Sequence, residues 1–154
     1  MKLPEELRSQ PIMAGGTALL ALIACFGFLA TIVQLRETTT ALEASTAYEI
    51  QKDARELVED LRSHPDFAAL YEGAQPKDRK QALLDVWLMI NFHLSVFRQS
   101  EADGLSADFS KTFAADFCEF VTRKPIAEAW QELTLLGQIT EPQKRMRNVW
   151  CAPG

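Results

Sequence analysis

The sequence is poor in the residues from which most active sites are built. Histidine occurs twice and cysteine three times among 154 residues, and the seven glycines form no phosphate-binding loop. No Gly-x-Ser-x-Gly, Cys-x-x-Cys or calcium-loop pattern is present. His93 has Met89 and Phe97, rather than a second metal ligand, four residues away on either side. We therefore predict that the protein is not an enzyme and holds no metal and no cofactor.

Basic residues are too few for a nucleic-acid-binding surface. The chain carries a formal net charge of −5, and residues 37–154 hold 13 Lys and Arg against 19 Asp and Glu. A protein that binds nucleic acid needs a basic footprint to neutralise phosphates. The charge balance therefore excludes nucleic acid as an expected partner.

Three cysteines are too few for a disulfide framework. Cys25 lies in an apolar run, whereas Cys118 and Cys151 lie far apart in the rest of the chain. A disulfide between Cys118 and Cys151 is the only one available outside that run. Free cysteine packs as a small hydrophobic side chain, so we predict a buried thiol at Cys118 and an incidental one at Cys151, with the disulfide as the alternative.

The longest uncharged stretch, Ile12–Val33, predicts a transmembrane helix. Its 22 residues would cover about 33 Å as a helix. The run is too long for the apolar region of a signal peptide and has no small-x-small cleavage site at its end, so we expect it to be retained as an anchor. Lys2 and Arg8 before the run against Arg36 after it favour a single-pass protein of the cell (inner) membrane with its N-terminus inside. The rest of the chain would then lie on the outer, periplasm-like side.

Small side chains recur at spacings of three and four on one face of the predicted span. A face of this kind lets membrane helices approach closely, although alanine and glycine are common in membrane helices without any such role. If it is a packing face, its partner is another membrane protein subunit or a second copy of the chain, with the lipid bilayer around the rest. The residues of this predicted packing face are Ala14, Thr17, Ala18, Ala21 and Cys25.

The chain from the span to residue 136 is predicted to be helical. Residues 34–63 contain no Gly or Pro, so the span should continue into a long helix, whose later half carries an apolar stripe at helical spacing. The stripe comprises Ile50, Ala54, Leu57, Val58 and Leu61. Further helices are expected at 66–72, 77–99, 107–123 and 126–136, with Gly73 and Gly137 after two of them and Ser106 as an N-cap.

These elements predict an all-α fold in which one N-terminal transmembrane helix continues into a long helix that packs with a small helical bundle. The helix at 77–99 is apolar around most of its circumference and should be the buried centre. We divide the chain into an N-terminal flank at 1–11, the transmembrane helix at 12–35, its helical extension at 36–63, a small helical domain at 64–137 and a basic C-terminal tail at 138–154.

Two groups of residues are candidate sites. Trp87, Asn91 and His93 lie in the most apolar helix outside the span and form a possible polar core or ligand site. For His93, a hydrogen-bonded structural role is favoured over a ligand-binding one, since buried polar groups need partners. The basic tail could contact lipid headgroups, although a solvated tail is favoured; its residues are Lys144, Arg145, Arg147 and Trp150.

Three short motifs resemble those of a family of uncharacterised bacterial single-pass membrane-anchored helical proteins of unknown function. An "NT-x-AL-x-AS" type stretch, a "P-x-x-A-x-x-Y/W" stretch and a "P-x-x-x-x-W" segment follow the span in that order, with Thr39 where asparagine is more usual. The resemblance implies the architecture and no catalytic residue, substrate or cofactor. The matching residues are Thr39, Thr40, Ala41, Leu42, Ala44 and Ser45, then Pro65, Ala68 and Tyr71, then Pro125 and Trp130.

Two functions remain open from the sequence. The first is a membrane-tethered interaction or accessory module, such as a small subunit of a larger membrane complex. The alternative is a membrane-anchored sensor that binds a small apolar ligand in its helical domain.

Overall fold

The described part of the chain is all-helical, as predicted. A computed structural model describes residues 6–152, with side chains from residue 24 onward. No strand occurs in this part of the chain. Its helices are α1 (Glu6–Arg62), α2 (Pro65–Tyr71), α3 (Arg79–Glu101), α4 (Ala107–Thr122), α5 (Lys124–Leu135) and α6 (Glu141–Trp150). The chain divides into two compact units, residues 1–42 and 43–154.

The first unit contains the N-terminal part of α1. Thr31, Thr38, Thr39 and Thr40 each donate their hydroxyl hydrogen to the carbonyl oxygen four residues earlier, so these β-branched polar residues are accommodated within the helix. Of the predicted span Ile12–Val33, the side chains of residues 12–23 lie outside the described ones. In the part of the chain that the structure describes, no helix is long and apolar enough to cross a membrane.

The helix ends of the second unit follow local signals in the sequence. Gly73 and Gly137 adopt φ angles of +81° and +71°, and in each case the next amide donates to a carbonyl five residues earlier, which closes the helix end. Ser106 caps α4 by accepting a hydrogen bond from the Phe109 amide, as predicted. Asp78 caps α3 through the Gln81 amide, so α3 begins at Arg79 rather than at residue 77.

The helix α3 is the centre of the second unit, also as predicted. It packs against α2, α4, α5 and α6. Its Val86 and Ile90 have no exposed surface, and they share the core with Phe117 from α4, Ile126 from α5 and Met146 from α6. Complete burial of such a side chain stabilises the folded state by about 1.5–3 kcal/mol. With Leu70 from α2 in the same cluster, the core contains side chains from all the short helices.

The segment predicted as a basic tail contains a packed helix, α6. Gln143 is only 1 % exposed, and its Oε1 accepts hydrogen bonds from the amide and hydroxyl of Thr140, which fixes the start of the helix. The prediction of a tail was wrong because α6 is short and strongly charged, and its stability comes from the helices α3 and α4 against which it packs.

The prediction of two free thiols in this unit was also wrong. Cys118 on α4 and Cys151, directly after α6, form a disulfide with a Cα–Cα distance of 5.4 Å. Helix packing brings together residues that are 33 positions apart in sequence. The bond fixes the end of α6 to the middle of the bundle.

The last part of α1 belongs to the second unit, but its apolar stripe packs only at two points. Ile50 is buried against Val96 and Leu105, and Leu61 is 1 % exposed. Between these two residues, Leu57 is half-buried and Val58 is exposed. The middle of the stripe therefore lacks close packing against the bundle.

Candidate functional site

A cavity of about 550 Å³ lies beside this part of α1, and its walls come from α1, α2, α3 and α4. Small-molecule sites commonly have volumes of about 300–1,000 Å³. The cavity is partly open to solvent, and its lining is mostly apolar. Its size and composition therefore fit a small, largely apolar molecule.

Most of the wall from α1 consists of residues of the later half of the stripe, of which Leu61 is buried and Leu57 and Val58 are less closely packed. Ala54, Leu57, Val58 and Leu61 all line the cavity, whereas Ile50 packs away from it. The helical spacing that predicted this stripe also brings its side chains to one surface. The sequence predicted the stripe, but it did not predict that a cavity would face it.

Aromatic rings form much of the remaining wall. Phe67 and Tyr71 on α2 stack with ring centroids 5.9 Å apart, and Phe92 on α3 lies 6.1 Å from Phe113 on α4. Phe120 also lines the cavity and stacks with Tyr71 at 6.4 Å. The Tyr71–Phe120 and Phe92–Phe113 contacts join different helices, so the aromatic wall is built from α2, α3 and α4.

His93 is the most deeply buried polar residue of the lining. It is 5 % exposed, and its ring packs against Phe117 at 5.3 Å and parallel to Phe120 at 6.4 Å. Its Nδ1 lies 2.8 Å from the carbonyl oxygen of Met89. A carbonyl oxygen can only accept, so Nδ1 carries the proton and Nε2 of the neutral ring is an acceptor.

The Nε2 atom of His93 has no hydrogen-bond partner among the described residues. The described part of the chain contains no buried side-chain nitrogen or oxygen without a partner, so Nε2 must be accessible. Because His93 lines the cavity, the cavity is where its lone pair can meet a ligand or water.

Burial lowers the pKa of His93 below its ordinary value, because the protonated ring would lose its hydration. The hydrogen bond to Met89 and the negative charge of Asp116 oppose this effect, but burial is the larger cause. The imidazole is therefore neutral at neutral pH. It faces the cavity as a hydrogen-bond acceptor rather than as a cation.

Three charged side chains complete the lining: Arg62 at the end of α1, Glu72 after α2 and Asp116 on α4. All three are exposed at the residue level, which places their charge where the cavity meets solvent. Because His93 is neutral, the charged groups of the lining are two carboxylates and one guanidinium, so negative charge is in excess. Sequence reasoning missed Asp116, although its spacing of three and four residues from Phe113 and Phe120 places it on the aromatic face of α4.

Trp87 and Asn91, which were grouped with His93 as a possible site, do not line this cavity. Trp87 donates its Nε1 hydrogen to the Gln138 carbonyl at 3.2 Å. Asn91 donates to the Trp87 carbonyl at 2.8 Å and accepts from Gln143 at 3.1 Å. Trp87 therefore contacts the turn before α6, and Asn91 contacts α6 itself, while His93 lies on the side of α3 that meets α4.

The three basic residues and the tryptophan considered for headgroup contact are engaged within the fold. Lys144 pairs with Glu141 at 2.7 Å, and Arg145 pairs with Glu101. Arg147 lies over the Trp130 ring, 5.0 Å from its centroid. The fourth, Trp150, packs edge-on against Phe97 and Phe117 at 5.3 and 5.8 Å. The contacts of Arg145, Arg147 and Trp150 attach α6 to the bundle, whereas the Lys144–Glu141 pair lies within α6.

A second buried polar contact lies outside the cavity. Asp85 on α3 has no exposed surface, and its two oxygens accept hydrogen bonds from His64 Nδ1 at 3.1 Å and Gln81 Nε2 at 2.9 Å. The contact attaches the residue before α2 to the centre of the bundle. The sequence signal for it is an aspartate within an otherwise apolar helix, because a buried carboxylate needs partners.

The predicted packing face of the span lies mostly outside the described side chains. Ala14, Thr17, Ala18 and Ala21 fall in residues 12–23, and Cys25 is an exposed free thiol. Across the described residues, no three His, Cys, Asp or Glu side chains come close enough to hold a metal ion.

Comparison with protein-family models, curated proteins and solved structures finds no match to this chain. The resemblance to bacterial membrane-anchored helical proteins stays a prediction. The cavity and the residues that line it are therefore the features of the molecule that bear on its function.

Proposed function

We propose that the protein is a membrane-anchored sensor whose C-terminal helical domain binds a small, largely apolar ligand. The observation that supports this most directly is the cavity of about 550 Å³ beside the later half of the α1 stripe. A ligand that covers the apolar side chains of a cavity removes them from water, which lowers the free energy of the bound state. The same helix provides the proposed anchor and one wall of the site.

The anchor is supported by the composition and exposure of α1. Ile12–Val33 contains no charged residue, and α1 is helical from Glu6 through this range. Within its described part, Phe26 and Phe28 are 71 % and 68 % exposed. Large apolar side chains at such exposure suit contact with lipid.

The side of the membrane is supported by the disulfide. Disulfides persist mainly in oxidising environments outside the cytosol, and Cys118–Cys151 lies in the C-terminal domain. The flanking charges of the span independently favour an N-terminus inside. We therefore assign the domain to the outer, oxidising side.

A second candidate function is the interaction or accessory module. Leu35 and Leu42, seven residues apart on α1, are 61 % and 63 % exposed, which suits a second helix from another subunit or another copy. Site-specific crosslinking in membranes through cysteine at Leu42 tests it, in a Cys25→Ser background. The absence of any crosslinked partner or dimer would count against it.

Binding of 2-phenylethanol, a neutral aromatic alcohol, tests the sensor. The full chain in lipid nanodiscs would be titrated calorimetrically, with empty nanodiscs as the blank. We expect saturable binding of one molecule per chain, which Ala54→Trp should abolish by filling the cavity. Ala44→Trp, on the exposed side of the same helix, is the matched control.

Thermal unfolding would confirm that both tryptophan variants are folded. If the wild-type chain showed no saturable binding above the blank, or if Ala54→Trp bound as well as Ala44→Trp, the cavity would not be the ligand site.

A further inference from the structure

We propose that the ligand of this cavity is an organic ammonium ion with an aromatic or aliphatic body and at least one N–H group. This proposal rests on the sensor function above and specifies its ligand class. It is carried by three features of the lining: an unpaired acceptor that faces the cavity, an excess of carboxylates and a set of aromatic rings.

The acceptor is Nε2 of His93, an accessible atom on a largely buried side chain. The imidazole carries its proton on Nδ1, which donates a hydrogen bond to the Met89 carbonyl. The other ring nitrogen, Nε2, therefore has a lone pair and no hydrogen. A ligand that satisfies this atom must donate a hydrogen bond. An ammonium N–H or a hydroxyl can do so, whereas a carboxylate cannot.

The charges of the lining select between those donors. Asp116 and Glu72 contribute two negative charges against the one positive charge of Arg62. Asp116 is near enough to His93 for its charge to act on the imidazole. A cationic nitrogen between Asp116 and His93 would meet an anion and an acceptor together, whereas an anionic ligand would face two carboxylates and a lone pair.

The aromatic rings suit a cation as well as an apolar body. Phe67, Phe92, Phe113 and Phe120 all line the cavity, and the described residues place no cationic side chain over any of these four rings. Cations are attracted to the faces of aromatic rings by the negative charge density of the ring face. Arg123 already lies over the neighbouring Tyr71 ring, 4.5 Å from its centroid.

Three probes of nearly equal shape test the ligand class: 2-phenylethylammonium, 2-phenylethanol and 3-phenylpropanoate. Each would be titrated into the full chain in neutral-lipid nanodiscs at low salt, with empty nanodiscs as the blank. We expect the ammonium to bind about tenfold more tightly than the alcohol, and the carboxylate to bind most weakly.

Asp116→Asn should remove most of the preference for the ammonium while leaving binding of the alcohol unchanged. Asp116 is exposed, so this substitution preserves the fold. Asp108→Asn, an exposed position on the same helix, is the matched control and should retain the preference.

The outcomes separate this proposal from the sensor function. If no probe bound, or if binding were insensitive to Ala54→Trp, the sensor function itself would fail. If the alcohol or the carboxylate bound as tightly as the ammonium, or if Asp116→Asn kept the full preference, the cavity would still be a ligand site but the ammonium assignment would be wrong.

Discussion

Single buried polar residues fix the arrangement of the helices in the C-terminal domain. Asp85 joins His64 to α3, and Gln143 joins the start of α6 to Asn91. Asp85 and Gln143 are both almost completely buried, so their hydrogen bonds are made only when the helices are in the right places. Such contacts specify one arrangement among the many that an apolar core would allow.

Replacing Asp85 by alanine should lower the free energy of unfolding by about 1–3 kcal/mol, because the donors of His64 and Gln81 would lose their buried acceptor. Urea denaturation followed by circular dichroism measures the change. Asp53→Ala, which removes an exposed carboxylate from α1, should change the free energy by less than about 0.5 kcal/mol. Equal effects of the two substitutions would show that the buried contact contributes nothing.

The lowered pKa of His93 predicts a pH dependence of stability. The unfolded chain takes up the imidazole proton near its ordinary pKa of about 6.5, whereas the folded domain takes it up only at lower pH. The unfolded state therefore binds more protons in that window, and the free energy of unfolding should fall as the pH drops below about 6.5. The contribution is fully present above that pH and reaches its lower limit below the folded pKa.

This contribution can be isolated by comparing wild type with His93→Gln between about pH 7.5 and pH 5.5. The variant should lose less stability over this interval, since glutamine can still donate to Met89 but does not titrate. The charged groups that face the same cavity, Arg62, Glu72 and Asp116, are present in both proteins. Parallel curves for the two proteins would contradict the assignment.

Local chemistry made some residue roles predictable. The Ser106 cap and the left-handed Gly73 and Gly137 follow from backbone requirements within a few residues. The cavity does not, because Glu72 and Asp116 are 44 positions apart in sequence and meet only through tertiary packing. His93 was recognised as a candidate, but Trp87 and Asn91, which were grouped with it, contact the turn before α6 and α6 itself.

Among the elements, the sequence predicts best those that carry a regular apolar face. The helices α3, α4 and α5 follow from spacings of three and four residues. The helix α6 has no such autonomous signal, and its attachment depends on partners from elsewhere in the chain: Asn91 through Gln143, Glu101 through Arg145, and Cys118 through Cys151.

Loss of the disulfide should therefore destabilise the domain. For a cross-link between residues 33 positions apart, the loop-entropy estimate is roughly 3–4 kcal/mol. Cys151→Ser, or reduction of the wild-type chain, should lower the free energy of unfolding by about this amount in urea denaturation. Cys25→Ser is the control and should change nothing, because Cys25 is an exposed free thiol. An unchanged midpoint after reduction would contradict the prediction.

At the scale of the whole molecule, the proposed anchor and the C-terminal domain impose different requirements on the chain. The anchor is proposed from a run of residues without charge, which can be read directly from the sequence. The fold of the domain depends on contacts among residues that are distant in sequence, and the sequence predicts only which helix faces are apolar. The proposed position of the domain on the oxidising side of the membrane depends on the Cys118–Cys151 disulfide.

Thiol counting in membranes tests the proposed placement of the domain. Membranes would be dissolved in SDS with a polyethylene glycol maleimide, with and without prior reduction. We expect one modified thiol per chain before reduction, from Cys25, and three after it. A Cys25→Ser chain should show none before reduction and two after. Three modified thiols without reduction would place the domain in a reducing compartment.

The disulfide also changes the covalent shape of the molecule. Because it joins the middle of α4 to the residue after α6, the end of α4 and the whole of α5 and α6 belong to a closed covalent ring. The turn at residues 136–140 lies inside this ring and is mostly exposed. A protease that cuts the backbone there opens the ring without releasing a fragment, so α6 stays attached to the bundle until a reductant breaks the sulfur–sulfur bond.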